Sequence, residues 1–389
     1  MAEINGTVAG GFERVGDAFA RNFEERGEVG AAFSLYHRGE LVVDLWGGVA
    51  DPATGRAWAQ NSLQSVASTT KGATAICALL LAQRGELDID APVARYWPEF
   101  AAAGKQDIPV RWLLTHQVGL PLFDNPLTVE EALAWDPAVE ALAAQRPVWE
   151  PGAAHGYHAI TYGWLVGEVV RRITGRSLGT FFAENVAGPL GLDFWIGLPA
   201  SEHARVCPML GEEVEDVDLD SLPESMREVM AQFEDPDSLQ SRASNITTTP
   251  LPVDTPAFYE AEFPAANGVT DARSLARMYA AVIGNGVDGV RLLNDETIRR
   301  ATTEQCVGRD RVIFANTRFG LGFALHLGPV DLVNEGAFGH GGAGGSLGFA
   351  DPLADIGFGY VMNKMQPYLE DPRPAALIAA VHESLGGKA

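Results

Sequence analysis

The sequence predicts an α/β protein carrying an all-α insertion. One antiparallel sheet is assembled from both ends of the chain and flanked by N- and C-terminal helices, with a helical domain inserted between its halves. Three observations carry this. Strand-like stretches sit near the two ends, helical periodicity fills the middle, and strands and helices do not alternate regularly. The last point disfavours a doubly wound parallel sheet or a TIM barrel. At about 150 residues per domain, 389 residues allow more than one. The expected division is a discontinuous α/β domain, residues 1–67 with 271–389, and a mostly helical domain, residues 68–270. The active site is expected between them.

Between Val8 and Glu25, Phe12, Val15, Phe19 and Phe23 recur at helical spacing. Ala31–Tyr36 and Leu41–Trp46 read as strands joined through His37-Arg38-Gly39-Glu40, a turn-like stretch. The texture changes after Ser68. Thr69–Arg84, Val129–Ala144, Ile160–Thr174 and Leu178–Val186 read as helices separated by Gly and Pro. Gly211–Asp237 is acidic and reads as a solvated loop with a short helix near Pro223–Phe233. Asp271–Gly284 is a further helix, with Thr270 or Asp271 as N-cap. Strands return at Arg318–His326, Gly345–Ala350 and Ile356–Asn363. A final helix begins near Pro374, stops at Gly386, and stripes one side with Leu377, Val381 and Leu385.

Composition narrows the function. Apolar residues make up 47% and charged ones 20%, which suits a globular core rather than disorder. The net charge of −23 repels phosphates and anionic lipid heads, so neither nucleic acid nor a membrane surface is an expected partner. Cys77, Cys207 and Cys306 are odd in number and far apart, which suggests neither a disulfide framework nor a zinc ribbon. The first basic residue is Arg14, so no signal peptide is visible, and the longest apolar run, around Ala75–Ala82, is far too short to span a bilayer. A soluble cytoplasmic protein is expected.

The most informative tetrapeptide is Ser68-Thr69-Thr70-Lys71. Residues three apart on a helix present adjacent side chains. A serine hydroxyl needs a base within hydrogen-bond reach, and a lysine serves only if its ammonium form is disfavoured. The small, apolar helix that follows, Gly72 to Leu80, places Lys71 at the edge of a core. With only four lysines in the chain, chance would give such a spacing about 0.14 times. A second constellation is Tyr157-His158-Ala159, after the turn at Pro151-Gly152, where a tyrosine beside a lysine can carry protons. A third is the run Gly339–Gly345, in which glycines admit close backbone approach and free N–H groups can line an oxyanion hole.

In order and spacing, Ser68-Thr69-Thr70-Lys71, Tyr157-His158-Ala159 and His340-Gly341-Gly342 resemble the serine β-lactamase-fold enzymes: class C β-lactamases, DD-peptidases and especially family VIII carboxylesterases. Leu113–Leu120, Tyr162–Glu168 and Pro189–Trp195 support the resemblance, which spans nearly the whole chain. It implies the β-lactamase/transpeptidase-like fold and a serine hydrolase without cofactor or metal, acting on small-molecule esters of short acyl chain. By the same resemblance Ser68 is the acylated nucleophile, Lys71 its base and Tyr157 the proton shuttle. The N–H groups of Ser68 and Ala343 form the oxyanion hole, and His340, Gly341 and Gly342 bind substrate. Two departures matter. Ala159 stands where lactamases have Asn, and His340-Gly341-Gly342 where they have Lys-Thr-Gly. Loss of a fixed cation and a hydroxyl weakens the β-lactamase and DD-peptidase readings and favours uncharged esters.

Gly344-Gly345-Ser346-Leu347-Gly348 fits the nucleophile-elbow pattern but lacks the strand before it and the helix after it. His155 and His158 lack the further ligand of a metal site, His116 reads as a turn residue, and the acidic run Glu212–Asp220 reads as solvated charge rather than a calcium loop. An acyltransferase on the same fold, or a catalytically silent penicillin-binding-like module, are the rival readings.

Overall fold

A computed structural model describes residues 2–211, 227, 231–232, 235–325, 334–366 and 371–387. Six main strands form the sheet: β1 (Ile4–Val8), β2 (Gly30–His37), β3 (Glu40–Asp51), β4 (Phe338–Gly341), β5 (Leu347–Asp351) and β6 (Ile356–Met362). Their order is β1-β3-β2-β6-β5-β4, every neighbouring pair is antiparallel, and a two-residue strand, Arg56–Ala57, pairs with β3. The seam between the two ends of the chain is the β2–β6 ladder, with Phe358 opposite Leu35 and Gly359 opposite Ser34.

Alternation assigns each face. Phe33 and Leu35 of β2 point to a core shared with α1 (Glu13–Glu25) and the C-terminal helix, which supply Val15, Phe19, Leu377 and Val381. Ala32 and Tyr36 point the other way, into a larger core that contains Leu275, Ala276 and Tyr279 of Ala272–Ala280 and Ala73 and Ala75–Leu81 of the apolar helix α2 (Thr70–Gln83). α2 is buried along nearly its whole length. It packs against α3 (Thr161–Thr174), amid the short helices of the middle segment. A small sheet, Gln64–Ser65 with Val269–Thr270 and Phe194–Trp195, ties the approach to α2 to the chain just before Ala272.

Several expectations change in detail. Val129–Ala144 is not one helix: it breaks at Trp135, whose φ is +67°, and restarts at Asp136–Ala144 with Pro137 in its first turn. The Leu178 helix is regular only to Phe182 and continues as a π-turn, Ala183–Ala187. The expected strand Arg318–His326 is Asn316–Phe319, hairpinned with Cys306–Arg309, and His326 lies outside the described residues. β5 begins at Leu347, because Gly344 and Gly345 have positive φ. The last helix starts at Pro372, capped by the Asp371 side chain, and Asp271 caps Ala272–Ala280. Strands β1 and β4 and the helix Asp295–Thr302 were not anticipated. The acidic run Glu212–Asp220 lies outside the described residues, as does the helix expected near Pro223–Phe233 save for Arg227, Ala231 and Gln232.

Candidate active site

Ser68 sits half-buried in a single 3₁₀ turn, Ala67–Thr69, that runs directly into α2. Ala67 has φ of +43°, a conformation that costs a non-glycine residue free energy and persists only where the surroundings impose it. They do so here. Thr70 Oγ1 donates to Ala67 O (2.6 Å) and accepts from Gly268 N (2.8 Å), and Val66 N donates to Gly268 O (2.9 Å). Ser346 Oγ donates to Val66 O at 2.9 Å. Ser346 is therefore a buried brace of the turn rather than an exposed nucleophile.

Lys71, one α-helical turn beyond Ser68, has no exposed surface. Its Nζ lies 3.0 Å from Ser68 Oγ, 2.7 Å from Ala159 O and 3.0 Å from Ala265 O. None of these partners is charged, and burial holds its pKa well below the usual lysine value. A neutral amine has two N–H groups and one lone pair. In that form the two carbonyls can take the hydrogens and leave the lone pair toward the Ser68 hydroxyl, whereas an ammonium donates to all three oxygens. The first of these arrangements can serve a general base acting on a nucleophile.

Tyr157 is brought to this pair by the loop before α3. Its ring centroid is 4.7 Å from Lys71 Nζ, and its ring lies nearly parallel to Phe319 at 6.3 Å. The loop is held from both sides. Gly156 N donates to His116 O (3.0 Å), His158 N to His116 Nδ1 (3.1 Å), and Tyr157 N to Asp310 Oδ1 (2.9 Å). His158 Nδ1 donates to Gly156 O at 2.7 Å, and its Nε2 accepts from Leu120 N at 2.9 Å. Both ring nitrogens are thereby used, and burial pushes the pKa down to about 3. His155 instead meets Thr317 Oγ1 at 2.8 Å. The two histidines share no ligand position, and the described residues contain no cluster able to hold a metal.

The glycine run supplies the remaining wall. After β4 the chain turns tightly, with Gly342 N donating to Ser346 O at 2.8 Å. A Cβ at Gly342 would lie 2.3 Å from both Ser346 Oγ and Val66 O, so only glycine lets this turn press against the segment that leads to Ser68. Arg373, fully buried between Glu28 and Asp371, fixes the turn from behind by donating to Gly344 O at 3.0 Å. Among the described residues, neither the Ser68 nor the Ala343 N–H has an acceptor within the chain. Ala343 and Ala67 line one cleft of about 550 Å³. Met209, Leu251 and Phe258 make its apolar wall, Thr247–Thr249 a neutral polar one, and Asp254 is its one charged residue among those described.

His340 is buried on β4, its ring centroid 6.0 Å from that of Tyr157, with Nδ1 2.6 Å from Gly341 O and Nε2 without a partner among the described residues. Burial, then the nearby Lys71, pushes its pKa down to about 3, so it is no cation at neutral pH. The structure thus brings together Ser68, Lys71, Tyr157, His340, Gly341, Gly342 and Ala343, which lie as far as 275 positions apart in sequence. Sequence reasoning missed the carbonyls of Ala159 and Ala265, and Asp310. The carbonyls carry no residue-type signal, and Asp310 lies in a hairpin turn without periodicity.

Known proteins match this chain along nearly its full length. The family model described as Beta-lactamase matches residues 17–383. Esterase/beta-lactamase LipL of Mycobacterium tuberculosis is 36% identical over 370 residues, 94% of this chain and 84% of LipL. The crystal structure of a family VIII carboxylesterase is 41% identical, with a TM-score of 0.88 over 98% of this chain and 100% of that one. EstA from Arthrobacter nitroguajacolicus Rue61a is 35% identical, with a TM-score of 0.87 over 98% and 99%.

Proposed function

The chain belongs to the beta-lactamase family, and on that premise we propose that it is a serine carboxylesterase acting on small, uncharged esters through an acyl-enzyme on Ser68. The observation that carries this reading is the uncharged setting of Lys71, 3.0 Å from Ser68 Oγ. Neutral Lys71 takes the Ser68 proton as Oγ attacks the ester carbonyl. The N–H groups of Ser68 and Ala343 receive the oxyanion. Collapse of the tetrahedral adduct breaks the bond to the alkoxy oxygen, which leaves as the alcohol with a proton delivered through Lys71 and Tyr157. Water then attacks the acyl carbon, gives its proton to the same pair, and releases the carboxylic acid with Ser68 restored.

The preference for neutral esters follows from the walls. The position that would hold a substrate carboxylate is His340, which is neutral, and the one charged residue described in the cleft lining is the acid Asp254. The site draws on both proposed units, with the catalytic Ser68, Lys71 and Tyr157 from residues 68–270 and the substrate-binding His340 and oxyanion-hole Ala343 from residues 271–389. No helix among the described residues is long and apolar enough to cross a membrane. The free thiols of Cys77, Cys207 and Cys306 support a reducing, cytoplasmic setting.

The test is a fluorophosphonate probe followed by peptide mapping, with hydrolysis of p-nitrophenyl butyrate as the activity. Label on Ser68, and loss of turnover in Ser68→Ala with the fold retained, are expected. An adduct on Ser346, or full turnover in Ser68→Ala, overturns the assignment.

A further inference from the structure

Asp310 lies at the tip of the hairpin formed by Cys306–Arg309 and Asn316–Phe319 and has no exposed surface. Its Oδ1 accepts from Val312 N (2.8 Å) and Ile313 N (3.0 Å), as an aspartate opening a turn commonly does. The same oxygen also accepts from Tyr157 N at 2.9 Å, across 153 positions of sequence. The turn does not need that third bond.

The neighbouring contacts point the same way. Arg311 N donates to His155 O at 3.1 Å, and Thr317 Oγ1 meets His155 Nε2 at 2.8 Å. Val312 packs with Trp149 against Tyr157 and Ala154. The hairpin tip therefore grips the chain at 155 and at 157, on both sides of Gly156. The one carboxylate oxygen joins the hairpin turn to the backbone of the residue whose ring lies over Lys71. The second oxygen, Oδ2, is buried with no hydrogen-bond partner among the described residues, a costly position, so the hydrogen bonds that hold the carboxylate all run through Oδ1.

We infer that Asp310 is a positioning residue for Tyr157: it acts through the Tyr157 backbone to set the phenol against Lys71 and touches no reacting atom. The inference rests on the proton-transfer role proposed for Tyr157. A catalytic group moved by about 1 Å can lose roughly 10²-fold in rate, and that is the scale of effect expected.

The experiment measures kcat and KM for p-nitrophenyl butyrate, with kcat expressed per site titrated by a fluorophosphonate, so that unfolded molecules do not count. Asp310→Ala is expected to lower kcat per site by about 10²-fold with KM within about threefold of wild type. Asp310→Asn keeps an acceptor oxygen in place and is expected to recover activity to within about fivefold of wild type. In the Tyr157→Phe background, Asp310→Ala is expected to cost less than about threefold further, because the hydroxyl it positions is gone. A purely structural role would cost the same in both backgrounds, and that result overturns the inference while leaving the role of Tyr157 standing. Full activity in Tyr157→Phe overturns both. If Asp310→Ala yields no folded protein, Asp310→Glu replaces it in the same cycle, since it keeps the charge and displaces the oxygen. Activity kept by Glu and lost by Asn would show that charge, not placement, is required, and would overturn the inference.

Discussion

As a neutral amine Lys71 has two hydrogens to give and as an ammonium three, and three oxygens surround its Nζ. Two backbone carbonyls take hydrogens in either form, and the Ser68 hydroxyl can accept a third from an ammonium or donate to the amine, so burial without a charged partner is what favours the amine. The sign of the pH dependence follows. Burial lowers the Lys71 pKa, so the free amine dominates above that lowered value and is lost as pH falls through it. kcat/KM should therefore have an acid limb that belongs to Lys71. Burial, then the nearby Lys71, pushes the His340 pKa down to about 3. The pH profile of His340→Asn should keep the limb where wild type has it, and a limb that moves by a unit or more would assign it to His340 instead. The proposed mechanism also gives Lys71 and Tyr157 one shared proton path. Lys71→Ala and Tyr157→Phe should each lower kcat by about 10²-fold or more, and the double variant should lose far less than the product of the two. Multiplying losses in steady-state kinetics would mean that the two groups work independently.

At the level of elements, the sheet accepts the helix Ala272–Ala280 at backbone distance because β6 reads Ile356-Gly357-Phe358-Gly359-Tyr360. A Cβ at Gly359 would fall 2.3 Å from Ala272 O, and one at Gly357 2.4 Å from Ala276 O. Overpacking of this kind costs about 1–3 kcal/mol. Gly359→Ala should show that loss in the midpoint of urea unfolding, whereas Ala354→Gly, in the turn between β5 and β6, should shift it far less. The sequence announces β6 by its alternation, and the large side chains Phe358 and Tyr360 fall on the face opposite the helix as the pleat requires. α2 was legible for a similar reason, since its small apolar run has no polar face to turn outward. Other elements were not legible because long-range partners define them. β1 is Ile4-Asn5-Gly6-Thr7-Val8, mostly exposed and polar, and is a strand only because β3 offers it an edge. β4, Phe338-Gly339-His340-Gly341, has too few side chains for any period to show. The site divides in the same way: Ser68, Lys71 and Tyr157 carry their chemistry in the residue type, whereas Asp310 does so only through the backbone it reaches.

Across the whole molecule, the net charge of −23 and the cleft act on a charged substrate over different ranges, and the two can be measured apart. The local contribution is the absence of a cation at His340 and the presence of Asp254 in the wall. Replacing His340→Lys together with Gly341→Thr should raise the ratio of kcat/KM for nitrocefin to that for p-nitrophenyl butyrate. A wild-type ratio above one would defeat the esterase reading, and an unchanged ratio would show that these positions do not set the preference. The long-range contribution is repulsion of any anion approaching an acidic surface, and salt screens it. The Debye length falls from about 30 Å at 0.01 M to about 3 Å at 1 M. For a butyrate ester the rate should therefore barely respond to salt. For a p-nitrophenyl ester of similar length that ends in a carboxylate, kcat/KM should climb severalfold with salt through the association step. Whatever discrimination survives at 1 M then belongs to the cleft, and the double substitution should narrow that remainder without changing the salt slope. Equal salt dependence for the two esters would show that the surface charge takes no part in substrate choice.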